Sequence, residues 1–146
     1  MGLLQKIGKA EVFGSSRPFA HGRHRVEVSN VILKDGQGKK STEWFIVEAK
    51  VLESDTHHVG EVRSWVVDAG QASGPGNVKG FLLACVQNDS PEATADSMTG
   101  DEWGSFLGAA VGKDQPLKGA QLVVEVFGIK TREGNDFSKH VWSAGA

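Results

Sequence analysis

Cysteine is almost missing from this chain: Cys85 is the one thiol in 146 residues. A single thiol excludes an internal disulfide and a metal site built on paired thiolates, and it suits a reducing compartment. Long apolar runs are missing too. The start, Met1-Gly-Leu-Leu-Gln-Lys-Ile7, is too short in apolar residues for a secretory leader, and no stretch approaches a transmembrane span. Lys6 stands where a myristoylation signal after Gly2 needs Ser or Thr. No charge of one sign dominates, since 16 Lys and Arg face 18 Asp and Glu for a net −2. No internal repeat is apparent. Nor is there a catalytic constellation: no Ser-His-Asp or Cys-His arrangement suggests itself, and the clustered carboxylates of a metal-dependent nuclease find no place. An enzyme is therefore not expected.

What is present fits one small β-rich domain over residues 1–146. The hydrophobic fraction is 39%, enough for a packed core, and 19 glycines imply many turns. The charges are unevenly spread. Residues 1–40 hold eight bases against three acids, residues 41–118 hold five against twelve, and residues 119–146 balance at three each. Such asymmetry gives one basic and one acidic face, or simply a solvated surface.

Strand patterns open the chain. Along His24–Leu33, Val26 and Val28 share a face, and then the alternation slips so that Val31 and Leu33 take over. A one-residue slip predicts a bulge near Ser29-Asn30, which bends a strand. Asp35-Gly-Gln-Gly38 then reads as a turn. From Trp44 to Leu52, Phe45, Val47, Ala49 and Val51 form the core set, with Trp44, Ile46, Glu48 and Lys50 opposite. In a third strand, Glu61–Asp68, Val62 and Val66 oppose Arg63, Trp65 and Val67.

The period then changes over residues 73–118. Ser73-Gly-Pro-Gly-Asn77 reads as a turn cluster, and Val78, Phe81, Leu82 and Cys85 take helical spacing over Asn77–Val86. The acidic link from Asp89 to Asp96 reads as a mobile surface loop. Thr99 and Glu102 form a capping-box pair. Trp103, Phe106, Leu107, Ala110 and Val111 continue a second helix as core residues, and Gly112 stands at its C-terminal cap. Two strands follow. Leu122, Val124 and Val126 alternate with Val123, Glu125 and Phe127; beyond the hairpin turn Thr131–Asp136, Phe137, Lys139 and Val141 alternate with Ser138, His140 and Trp142. Three strands, a helical insertion and two strands is the layout of the five-stranded OB barrel, with the insertion between strands 3 and 4. Another small β-barrel or a mixed α+β sandwich fits the same pattern.

An OB barrel binds oligonucleotides across strands 2 and 3, framed by the first and last hairpins. Here Lys34, Lys39 and Lys40 flank the first hairpin and Lys130 and Arg132 the last. Trp44 and Trp65 lie on strands 2 and 3, each read as facing away from the core, near Lys50 and Arg63. Single-strand binding needs cations for phosphates and aromatic faces for bases, so these residues are the candidate nucleic-acid-binding set. The competing reading packs both tryptophans under the helices. Trp142 suits the core or a second stacking platform. Phe13, Phe19, Arg17 and Arg23–Arg25 suit an N-terminal arm over residues 1–22 or a packed edge.

Several patterns carry no chemistry. Gly38-Lys39-Lys40-Ser41 ends like a phosphate-binding loop, but Leu33 replaces its first glycine and Lys40 its Ser/Thr. Gly74, Gly76 and Gly80 miss the dinucleotide fingerprint, and the sequon Asn88-Asp-Ser90 follows no secretory signal. His21/His24 and His57-His58 lack a completing carboxylate or thiolate, so no metal and no cofactor is expected.

Five stretches carry a family resemblance: Lys9-Ala-Glu-Val-Phe-Gly14, Trp44-Phe-Ile-Val-Glu-Ala-Lys-Val-Leu-Glu-Ser54, Gly76-Asn-Val-Lys-Gly-Phe-Leu82, Pro116-Leu-Lys-Gly119 and Val123-Val-Glu-Val-Phe127. With them the chain resembles the bacteriophage-encoded OB-fold single-stranded DNA-binding proteins. The resemblance implies sequence-independent binding of single-stranded DNA, protection of replication or recombination intermediates, contact with replication or recombination proteins, self-association along DNA, and a place in the bacterial host's cytoplasm. One departure is the last stretch, Ser138-Lys-His-Val-Trp-Ser-Ala-Gly-Ala146, which holds no acid where many such proteins carry an acidic recruiting tail. The alternative expectation is a non-catalytic protein-interaction or virion structural barrel, with the tryptophans as contact anchors.

Overall fold

The computed structural model describes residues 17–35, 43–70, 73–130 and 136–145. Period-two alternation becomes strand in each place expected: β1 (Gly22–Asp35), β2 (Glu43–Ser54), β3 (Val62–Asp68), β4 (Gln121–Lys130) and β5 (Asp136–Ala144). Two helices, α1 (Gly74–Asp89) and α2 (Gly100–Ala110), lie between β3 and β4. One sheet holds the strands in the order β3-β2-β1-β4-β5, every pair antiparallel. No helix among the described residues is long and apolar enough to cross a membrane.

The slip in β1 is a bulge. Its register against β2 shifts between Val28 and Asn30, and again between Arg25 and Val26. Because each shift restores the alternation, Val26, Val28 and Val31 all bury on one face, against Phe45, Val47, Ala49 and Val51 of β2. The bend also lets β1 serve two neighbours. Its first part, Gly22–Glu27, pairs with β4, while β2 follows it from His24 to Asp35. Past the end of the β4 ladder, a side chain continues the pairing. Gln115 Oε1 accepts from the Val31 N–H at 2.7 Å, and its Nε2 donates to the Val31 carbonyl at 2.9 Å. Nε2 also donates to the Gly112 carbonyl at 2.9 Å, which fixes the orientation of the amide.

Among the described residues no ladder joins β3 to β5, so the sheet is open. The two edge strands meet through rings instead. Trp65 of β3 lies 5.4 Å from Trp142 and 6.0 Å from His140 of β5. Phe81 from α1 approaches Trp142 to 5.0 Å, and Phe19, from the segment before β1, approaches it to 6.2 Å. Burying four large rings at an open seam supplies the cohesion that backbone pairing would otherwise give.

The helices correct two expectations. Ser73-Gly-Pro-Gly-Asn77 is not a separate turn: α1 begins at Gly74, with Pro75 in its first turn, where a missing N–H leaves nothing unpaired. Gly74 is required there, since a Cβ would overlap the Asp68 carbonyl oxygen at the end of β3. Val78, Phe81, Leu82 and Cys85 bury as their spacing predicts. The link from Asp89 to Asp96 is built rather than loose. Ala93 is buried, Gln87 Nε2 donates to its carbonyl, and Trp103 Nε1 donates to the Ala95 carbonyl at the head of a short 3-10 turn, Ala95–Ser97. The Thr99–Glu102 capping box forms as expected, with both reciprocal bonds. Gly112 follows the cap residue Val111. Trp103 and Ala110 are buried, while Phe106, Leu107 and Val111 pack against the core in part.

Candidate nucleic-acid interface

The strand register sets the outer face of β1, β2 and β3 in rows: Lys34–Trp44–Asp68, Ile32–Ile46–Val66, Asn30–Glu48–Ser64 and Glu27–Lys50–Val62. Trp44 is 38% exposed, so it stands on the outside as its alternation predicted. Val62 and Val66 are more exposed still. The face therefore carries an aromatic ring beside an apolar row, bordered by charge. Lys50 Nζ lies 3.9 Å from Glu27 Oε2, and Asn30 donates to Glu48. Lys34 extends the Trp44 row at the β1 end.

Two expected members do not join this group. Trp65 is 6% exposed and belongs to the ring cluster at the seam. Its face was misjudged because Arg63 and Val67 share its phase, and an arginine makes a face look solvated. Arg63 in fact serves a local pair: its guanidinium donates twice to Glu61 Oε2, at 2.6 and 3.1 Å. That bond holds the Glu61 carboxyl below its usual range. Trp142 is likewise core, at 8% exposure. Lys39, Lys40, Arg132 and Phe13 lie outside the described residues. Lys130 ends β4, and its side chain lies outside them as well.

Sequence reasoning missed a histidine network, because its partners lie far apart in sequence. His24 is fully buried. Its Nε2–H donates to the Ala20 carbonyl at 2.7 Å, so Nδ1 accepts from the Ser54 hydroxyl, also at 2.7 Å. Ser54 Oγ in turn accepts from the backbone N–H groups of Thr56 and His57. The Ala20 N–H donates to His57 Nε2 at 2.9 Å, which leaves His57 Nδ1–H facing Glu61 Oε2 at 3.5 Å. Burial lowers the His57 pKa, and nearby Arg63 adds to the effect. These bonds, with the Ser64 N–H to Arg17 carbonyl bond, tie residues 17–21 to the ends of β2 and β3. His58 is exposed, and no group of three or more metal-binding side chains occurs among the described residues.

A cleft of about 360 Å³ opens along the seam. Trp44, Ser64, Trp65 and Asp68 line it from the β2–β3 side, Ser138 and His140 from β5, and Gly74 and Asn77 from α1. Ser64 is 3% exposed, and among the described residues neither its hydroxyl nor His140 Nε2 has a hydrogen-bond partner. Burial drives the His140 pKa down to about 4, against a backbone hydrogen bond with Ser138 that works the other way. The ring is therefore neutral at pH 7.

No protein-family model and no curated protein sequence matches the chain.

Proposed function

We propose that this chain closes into an OB-type barrel and binds single-stranded DNA without sequence preference, shielding replication or recombination intermediates. The observation that carries the reading is Trp44, exposed on the β2–β3 face beside the Ile32–Ile46–Val66 row. A strand order of β3-β2-β1-β4-β5, a bulged first strand and helices placed before β4 support the barrel. In this reading an exposed ring stacks on bases, while Lys34 and Lys50, with Lys39, Lys40, Lys130 and Arg132 from the hairpins, meet phosphates. The mechanism is occupancy, and no bond is made or broken. Compartment and helper proteins follow from the same reading: a bacterial cytoplasm, with replication or recombination enzymes as neighbours.

A protein-interaction barrel is the second reading. Its support is the β4–β5 pair, where Phe127, Ile129 and Val141 are each about 40% exposed.

The test is tryptophan fluorescence during titration with poly-dT at low and high salt. Stacking on Trp44 predicts saturable quenching, and Trp44→Ala should cost about 1–3 kcal/mol of binding while leaving the fold intact. Three phosphate contacts would give a slope of about −2 in log K against log salt. No binding at low salt by folded protein refutes the proposal and favours the β4–β5 surface.

A further inference from the structure

Along β4 the alternation that buries Leu122, Val124 and Val126 turns Glu125, Phe127 and Ile129 outward. On β5 the same alternation buries Trp142 and turns Lys139 and Val141 outward. Phe127, Ile129 and Val141 thus stand exposed on one face of the sheet. The register sets four of these residues in a block: Phe127 is paired with Lys139, and Glu125 with Val141. One diagonal of the block is apolar, from Phe127 to Val141. The other is charged, from Lys139 to Glu125. Ile129 follows Phe127 on β4 and widens the apolar side.

The charges decide what the block fits. Arg23 Nη1 lies 3.9 Å from Glu125 Oε1, and both side chains are more than half exposed. Lys139 has no ion-pair partner among the described residues. A nucleic-acid backbone laid over the ring would meet the Glu125 carboxylate, and a lipid surface would have to take in that carboxylate with the apolar side chains. A block with both signs suits a protein of the matching arrangement, and this chain carries the match itself. A twofold axis along the apolar diagonal puts Phe127 on Phe127 and Val141 on Val141 of a second copy, and turns Lys139 of each copy toward Glu125 of the other. With strands about 4.8 Å apart and alternate residues about 6.8 Å apart, that diagonal runs about 35° from the strands. The two sheets then cross at about 70°, near the orthogonal class of sheet packing. The facing charges are offset by only about 3 Å, within the reach of a lysine side chain.

We propose that two copies of this chain associate through the outer face of β4 and β5, with Phe127 and Val141 on the twofold axis and two reciprocal Lys139–Glu125 pairs beside it. This contact rests on the β4–β5 surface of the second reading above, and it holds whether or not the chain binds single strands. The face is small, so the association belongs to the weak, transient class, with a Kd of about 10–100 µM.

The experiment is sedimentation equilibrium without nucleic acid, over a concentration series that brackets this range, on wild type, Lys139→Glu, Glu125→Lys and the double variant. Both positions are exposed, so the fold should hold, and matching thermal melts check it. The wild-type mass should rise toward that of a dimer. Each single variant sets like charge against like at both contacts and should raise Kd by about tenfold or more. The double variant restores both pairs and should return Kd to the wild-type value. An equal mixture of the two single variants should form a heterodimer, since each supplies the sign that the other lacks. A wild type that stays monomeric throughout overturns the proposal and leaves the surface to a different protein. Single variants that associate like wild type, or a folded double variant that fails to recover, also overturn it, because the copies then meet elsewhere.

Discussion

Replacing Gln115 with methionine removes a carboxamide that acts as a missing strand. The Gln115 side chain pairs with both backbone groups of Val31, a residue with no exposed surface, at a point of β1 that β4 does not reach. Methionine keeps the length of the side chain and both backbone conformations, so the left-handed φ of +46° at this position enters wild type and variant alike. What changes is two orphaned polar groups, each costing about 1–3 kcal/mol if left dry. Gln115 is itself only partly buried, so water reaches part of the vacated space. We expect a net loss of about 2–4 kcal/mol in urea unfolding with an unchanged m-value, or roughly 6–12 °C in Tm for a chain of this size. Gln115→Glu makes the argument sharper. The carboxylate still accepts from the Val31 N–H, but its second oxygen faces the Val31 and Gly112 carbonyls, where the amide donated. This variant should be at least as unstable at pH 7 and should regain stability relative to the methionine variant as acid protonates the carboxyl. A methionine variant within about 0.5 kcal/mol of wild type would refute the clamp.

Three further outcomes follow from burial. His57 and His140 both titrate below the ordinary imidazole value, so the unfolded chain takes up protons near pH 6.5 while the folded one resists. Stability is then full above about pH 7 and falls between pH 6.5 and 5, before the carboxylates contribute; His140 alone should account for about 1–2 kcal/mol, allowing for solvent at a partly exposed ring. Urea midpoints that stay level from pH 7 to 5 would contradict this. Burial pushes the Cys85 thiol up to about 12, so a thiol reagent should label it only at the rate of unfolding, and rapid labelling of native protein would contradict its place in the core. Trp65→Ala should cost about 3–5 kcal/mol of stability, in contrast to Trp44→Ala; equal stability of the two variants would mean that the rings at the seam do not hold it.

What the sequence made legible was local. The bulge showed as a slip in the valines of β1, and the capping box as Thr99 with Glu102, because each signal is confined to a few adjacent residues. Trp44 was readable for the same reason, since β2 has one wholly apolar face and one mixed face. Trp65 was not. On β3 the choice lay between a valine face and a face of Trp, Val and Arg, and it was decided by the pairing of Trp65 with Val47 and by the rings of β5, which local alternation does not encode. Ser73–Asn77 misled because glycine and proline break helices in their interior and begin them at their first turn. The Gln115 clamp and the His57–Ala20 bond were out of reach altogether, spanning 84 and 37 residues.

The double pairing of β1 also fixes an order of assembly. β1, β2 and β3 follow one another along the chain and pair as a meander, with every partner at hand before β4 is made. The other side of β1 waits: Arg23 pairs with Glu125, and Phe19 with Trp142. During vectorial synthesis the valines of the meander are on hand long before the last two strands leave the ribosome. Because these contacts are late and long-range, docking of β4 and β5 onto the meander is expected to be the slow step. A ribosome stalled before β4 therefore presents a sticky half-sheet with β1 as its bare edge, the species that a chaperone would meet and that a truncated product would carry into aggregates.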